Sequence, residues 1–233
     1  LRYKQGGGVP EVLDIPASEK DKAEKLHRSL VENAAEGEES LMEKYFETDS
    51  LEPDEISLGI RMGLISRGIF PVLCGAAKHG VGVSRLLDFI VNTCPAPNMM
   101  PEKKTTDGKV FKSNISEPAA LMIFKLSNEQ HLGEVAMIRV YGGEITEGQD
   151  LINSRTGNKE RISQLMIVNG KNREKIEKVL AGDIAVTIKL KDGRNNDSLM
   201  DPKLGDNGFE LIEYPAPIFS IAVKAVSSTD DEK

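Results

Sequence analysis

The sequence contains no tryptophan, and aromatic residues make up only 5% of its 233 positions. Neither the helical nor the barrel segment interleaves aromatic with basic side chains, which argues against a base-stacking platform for single-stranded nucleic acid. Only two cysteines are present, Cys74 and Cys94, in no metal-ligand spacing, so neither a disulfide framework nor a zinc site organises the chain. The histidines, His27, His79 and His131, are scattered and form no His-Glu-x-x-His arrangement. Cys74 and His79 lack a third residue to orient them as a nucleophile pair. No apolar run approaches the roughly 18 residues of a membrane helix, and no charged-then-apolar leader opens the chain. A cytoplasmic protein with no membrane partner is expected. Basic excess is also missing: the net charge is −7, which disfavours DNA binding by bulk field and confines any RNA contact to a local patch. Finally, there is no glycine loop with Lys and Ser/Thr to cradle phosphates. Gly143 to Gly148 has a similar spacing, but Gln149 stands where the lysine belongs, and Asn158-Lys159-Glu160-Arg161 lacks the final Asp of a guanine-reading Asn-Lys-x-Asp.

What is present divides the chain. Residues 1–108 carry 13 Lys and Arg against 18 Asp and Glu, whereas 109–213 carry 15 against 16, so the acidity lies in the first part. Gly6-Gly7-Gly8 and the short apolar run to Pro16 read as the end of a small sheet. A helix is expected from Ser18, capped with Asp21 three residues on and burying Ala23, Leu26, Leu30 and Ala34, with Gly37 ending it. A second short helix carries Leu41, Met42 and Phe46, and a third opens at Pro53 with Ile56 and Ile60 one turn apart. The run Ile69-Phe70-Pro71-Val72-Leu73-Cys74 reads as a buried strand entering a glycine-flanked loop. Val83, Leu86, Leu87, Ile90 and Val91 then form the core-facing stripe of a helix that stops before Pro95. Strand, loop and helix make the closing βα unit of an α/β sheet.

Residues 98–116 are aperiodic and read as a linker. Beyond them the period becomes two. Ala136, Ile138 and Val140 alternate with Met137, Arg139 and Tyr141, and Ile184, Val186, Ile188 and Leu190 alternate with Ala185, Thr187 and Lys189. Turn signals such as Thr156-Gly157-Asn158 and Asn169-Gly170 recur at short intervals, which favours an antiparallel barrel or sandwich. A further strand is expected from Ile218 to Val226. The chain begins at Leu1 and is expected to be a piece of something longer.

The string from Ile69 to Val83, IFPVLCGAAKHGVGV, resembles the end of the GTP-binding domain of translation elongation factor G, where a strand and a Cys-Gly-Ser-Ala loop hold the guanine. Ser29–Glu36 and Leu41–Tyr45 resemble that factor's helical insert. Arg139–Gly143, Lys159–Ile162, Asn172–Glu177, Ala181–Ile184 and Leu199–Pro202 resemble its second, β-barrel domain, in order. The resemblance implies an α+β multidomain fragment: a partial α/β GTPase-domain remnant with a helical insert, followed by an antiparallel β-barrel of the translation-factor type. The implied division is 1–66 partial insert, 67–97 βα end of the GTP-binding domain, 98–116 linker, 117–213 barrel and 214–233 the start of a third domain. It further implies a parent protein that hydrolyses GTP with magnesium and promotes tRNA and mRNA translocation. This chain alone would be noncatalytic, with no metal and no cofactor bound, since the phosphate-binding elements would precede Leu1.

Gly75, Ala76, Ala77 and Lys78 are the implied guanine-binding positions, through backbone N–H groups. Lys159, Arg161, Lys171 and Arg173 are candidates for docking on small-subunit rRNA, and the acidic helices for meeting the large-subunit stalk protein. Two departures stand out. Ala76 replaces the usual serine, and Asn196-Asp197-Ser198-Leu199 replaces Gly-Asp-Thr-Leu, which suggests a divergent paralogue. The alternative that the resemblance leaves open is a tetracycline-resistance ribosome-protection protein or another translation-factor relative, which shares these domains. A reading from another class is a free-standing protein-interaction module with no nucleotide link.

Overall fold

The computed structural model describes residues 1–4, 7–129, 132–170, 172–205 and 207–222, so Gly6, His131 and Lys171 lie outside the described residues. The chain divides into two compact units, Leu1–Met100 and Pro101–Lys233.

Among its described residues the first unit holds four α-helices: α1 (Lys20–Ala35), α2 (Glu39–Thr48), α3 (Pro53–Ser66) and α4 (Val83–Thr93). Pro53 sits in the first turn of α3, where its missing N–H costs no helical bond. Glu52 and Glu55 cap that end reciprocally, the Glu55 carboxylate accepting the Glu52 N–H at 2.8 Å. The start of α1 differs from expectation. Ser18 lies inside a 3₁₀ turn, Ala17–Glu19, and the cap position falls to Glu19 with no side-chain bond.

Helix α1 crosses α3 with the backbones in contact. A Cβ on Gly59 would lie 2.0 Å from the Ala34 carbonyl oxygen, and one on Gly37 would lie 2.3 Å from that of Gly59. This crossing sets which face of α1 is buried. Val31, Ala34 and Ala35 are inside, while the expected Leu26 and Leu30 remain 61% and 46% exposed. Val31 and Ala35 join Leu41 and Leu51 in a small core flanked by Met42, Tyr45, Ile56 and Leu58. Phe46 of α2 points outward, 79% exposed.

Residues 69–74 are not a strand. A strand needs a neighbour for its ladder, and among the described residues none lies alongside. Phe70, Val72 and Leu73 are therefore exposed. For the same reason the stripe of α4 does not face a core: Val83, Leu86, Leu87, Ile90 and Val91 all face open space. Helix α4 is fastened at its other end by Arg61 of α3, which donates to the Asn92 and Thr93 carbonyls at 2.5 and 3.2 Å. The opening segment, read as a sheet end, contributes one isolated bridge, Arg2 to Glu11.

The second unit is antiparallel throughout its ladders. Its strands are β1 (Lys103–Lys104), β2 (Val110–Phe111), β3 (Ala120–Glu129), β4 (Gly133–Gly142), β5 (Glu144–Thr146), β6 (Asp150–Asn153), β7 (Lys159–Arg161), β8 (Leu165–Asn169), β9 (Asn172–Ile176), β10 (Lys178–Leu180), β11 (Ile184–Ile188) and β12 (Ser198–Met200). Eight of them form one sheet in the order β7-β6-β12-β3-β4-β11-β8-β9, and β10 pairs with β5 beside it. Leu121, Ile123, Ile138, Val140, Ile145, Leu151, Leu165, Val179 and Leu199 meet inside. Strands from both sheets thus share one core, at about 1.5–3 kcal/mol per fully buried aliphatic side chain.

Strand β4 follows the expected alternation, with Ala136, Ile138 and Val140 buried. Strand β11 does not: Ala185 faces the main core, Ile184 is 55% exposed, and Val186 and Ile188 pack on the opposite face with Val135 and Met166. Being buried on both faces, β11 loses the contrast that would reveal its inward side.

The segment expected as a linker, 98–116, carries the β1–β2 hairpin, which packs on the outer side of the large sheet. There Phe111 meets Phe209 edge to face, with ring centres 5.3 Å apart, above Ala120, Met122 and Met200. Residues 218–222, the described part of the strand expected from Ile218, are not in a ladder.

Candidate functional site

The loop after residue 74 folds on itself. The Ala76 N–H donates to the Val81 carbonyl at 2.9 Å and the Val81 N–H returns to Ala76 at 3.2 Å. His79 N–H donates to Ala76 and Gly80 N–H to Ala77, closing a 3₁₀ turn over Ala77–His79. Four amides are thus used internally, and those of Ala77 and Lys78 have no partner within the loop. Of the four expected positions, Ala76 contributes its N–H to the loop's own pairing, whereas the Gly75, Ala77 and Lys78 amides take no part in it. Gly75, Ala76, Ala77 and Lys78 are all exposed. Close approach explains two glycines. A Cβ on Gly82 would meet the Cys74 carbonyl at 2.7 Å, and one on Gly7 would meet Gly80 at 2.5 Å.

The basic candidates do not form one edge. Lys159 and Arg161 lie on β7, at one end of the large sheet, their side chains flanking buried Glu160. Both reach the same carboxylate, Asp150, at 4.0 and 3.8 Å. The two exposed cations thus share one exposed acid, while Glu160 between them is turned inward. Arg173 lies on β9 at the other end, paired with Glu129. Among the described residues no ladder joins β7 to β9. Lys171 lies outside the described residues.

A third arrangement was not flagged as a site by the sequence. Asp197 is nearly inaccessible and accepts from Arg155 Nε at 2.7 Å, Arg155 Nη2 at 2.9 Å, Asn153 Nδ2 at 2.8 Å and the Arg194 N–H at 2.9 Å. Burial pushes the carboxyl up, but these bonds outweigh it and hold Asp197 below the ordinary 3.8. Glu160, equally buried, accepts the Lys191 and Asp192 N–H groups at 2.9 and 2.8 Å. The two acids fix the 191–197 turn from either side. A hollow of about 410 Å³ beside Asp197 is lined by Ser154, Arg155, Asn196, Ser198 and Phe209, among others. No group of three or more metal-ligating side chains occurs among the described residues, and no described helix is long and apolar enough to cross a membrane.

Residues 118–202, which span the large sheet from β3 to β12, match the family model described as Elongation factor G domain 2. The large sheet is therefore similar to elongation factor G domain 2. A solved structure of a protein from Thermus thermophilus matches over 86% of this chain with a TM-score of 0.67 and 21% identity. The chain spans 28% of that protein's length. At that identity the solved structure shows a shared fold, and the family likeness belongs to residues 118–202. In this light the substitution at Asn196 has a backbone reason. Its φ is +73°, a region that glycine enters freely and asparagine tolerates better than most residues.

Proposed function

We propose that this chain is part of a ribosome-associated translational GTPase of the elongation factor G type, cytoplasmic, promoting movement of tRNA and mRNA during protein synthesis. The observation that carries the proposal is the domain 2 family match over the barrel, supported by the shared fold of the large sheet and the helical unit. In this reading the barrel docks on small-subunit rRNA. Lys159 and Arg161, two cations sharing one acid on an exposed strand, supply the local positive charge that phosphates require. The acidic helices α1 to α3 face a basic patch of the large-subunit stalk protein.

The Ala77 and Lys78 amides donate to the guanine carbonyl, so this chain supplies the base-reading side of the nucleotide pocket. The residues present suit that side alone: the loop offers neutral donors, while the sequence has no phosphate cradle and no carboxylate set for magnesium. GTP and magnesium, when bound, supply the hydrolysable bond and its charge neutralisation, on elements contributed by the rest of the parent. The division into insert (1–66), βα end (67–97), connector (98–116), barrel (117–213) and start of a third domain (214–233) belongs to the same proposal.

Sedimentation of the chain with small ribosomal subunits tests the docking. Association is expected at moderate salt, with a loss of about tenfold or more on combining Lys159→Glu and Arg161→Glu. Association unchanged by that reversal would remove the assignment of these residues. Calorimetry is expected to find no tight GTP binding to the chain itself, and micromolar affinity would overturn that part.

A further inference from the structure

The residues after the barrel's last helical turn are pinned to it one after another. Thr106 N–H donates to the Gly208 carbonyl at 2.9 Å, Phe209 N–H to Ser198 Oγ at 2.9 Å, and Glu210 N–H to the Lys104 carbonyl at 3.0 Å. The last fastening is of another kind. Asn196 Nδ2 donates to the Ile212 carbonyl at 2.9 Å, and its Oδ1 accepts the Ile212 N–H at 3.1 Å. One side-chain amide thus does what a neighbouring strand residue would do, engaging both backbone groups of Ile212. Among the described residues, none from 213 to 222 makes a backbone hydrogen bond to the barrel.

We propose that Asn196 is the latch that fixes where the chain leaves the barrel, and hence the direction in which everything after Ile212 departs. Three features converge on it. Asn196 holds a left-handed φ of +73° while its side chain reaches Ile212. Its own N–H donates to the Ile123 carbonyl at 2.8 Å, and the Ile123 N–H to the Asp197 carbonyl at 2.9 Å, so its base is anchored to β3. The next residue, Asp197, is locked by Arg155, Asn153 and Arg194. The latch is therefore a rigid post. Glycine would satisfy the same backbone without offering a side chain, and aspartate would offer an acceptor without the donor. The proposal rests on the barrel's geometry and not on the ribosomal reading.

Amide-resolved hydrogen exchange on the whole chain tests it. In Asn196→Gly, which suits the positive φ, the Ile212 amide is expected to exchange about tenfold faster, while the Ile123 and Phe209 amides keep their rates. Unchanged Ile212 exchange in the glycine variant would overturn the latch. So would equal acceleration at Ile123 and Phe209, which would mark general loosening instead.

Discussion

Replacing Asp197 by asparagine changes one atom and one charge in a site with four donors aimed at it. Oδ2 receives three of them, from Asn153, Arg194 and Arg155 Nη2, while Oδ1 receives only Arg155 Nε. The new amide nitrogen therefore settles at the Oδ1 position, where it opposes a single donor. Three bonds persist: those from Asn153 and Arg194 fall to neutral strength, that from Arg155 Nη2 keeps only the charge of its guanidinium, and the fourth becomes a repulsive contact beside that same guanidinium, which has partial access to water. Charge-assisted bonds are worth about 1.5–3 kcal/mol and neutral ones about 0.5–1.5, so the barrel should lose roughly 3 kcal/mol. For a unit of this size that corresponds to a fall of roughly 10 °C in thermal midpoint, read by circular dichroism.

The dependence on pH provides a second check. Asp197 titrates below 3.8 when folded, so its contribution is fully present above that value and disappears as pH falls through the folded value. The gap between wild type and Asp197→Asn should stay constant at neutral pH and close in acid. A loss under about 1 kcal/mol, or a gap that persists at low pH, would refute the reasoning.

Gly59→Ala should destabilise the helical unit by about 1–3 kcal/mol despite alanine's better helix propensity of about 1 kcal/mol, because the added methyl would overlap the Ala34 carbonyl at 2.0 Å. Urea unfolding followed by helical circular dichroism decides it, and a stabilised variant would mean that the α1–α3 crossing is looser than described. Asp107 accepts from the Thr105 hydroxyl at 2.5 Å and from Lys109 Nζ at 2.9 Å. The Thr105 bond first, and Lys109 next, hold its carboxyl down to about 2. An NMR titration should give that midpoint in the wild type and a value nearer the ordinary 3.8 in Thr105→Val. Its stabilising effect is present above 3.8 and lost toward pH 2.

Where a pattern had one buried face, the sequence displayed it. The alternation of β4 and the proline opening of α3 were legible because local chemistry and burial agree there. Legibility failed where burial depended on partners distant in the chain. Leu26 and Leu30 have the right spacing, yet the contact of Gly59 with Ala34 turns α1 by its small residues and leaves them outside. The stripe of α4 and the run 69–74 were read correctly as apolar and wrongly as covered, since periodicity reports what a surface prefers and not whether a second layer is there.

At the candidate sites, sequence nearness was a poor guide to spatial nearness. Lys159, Arg161 and Arg173 are close neighbours in the chain, but two hairpins carry them to opposite ends of the strand order. The loop 75–78 was found by resemblance. That Ala76 keeps its N–H for Val81 follows only from the turn. The string Asn196-Asp197-Ser198 had attracted notice as a departure, but its bonds to Arg155, Asn153 and Ile212 join residues up to 44 positions apart and carry no local signature.

The outermost strand β9 reads Asn172-Arg173-Glu174-Lys175-Ile176 and is exposed over nearly its whole length. A bare strand margin recruits strands from other molecules, and aliphatic side chains along it invite that pairing. Here Arg173 and Lys175 are engaged with Glu129 and Glu147, so an incoming strand would have to strip bound charges before it could reach the backbone. The same ion pairs that add little to the stability of one molecule keep its rim from seeding fibrils, and threonine or valine in place of those charges would leave the barrel folded but adhesive.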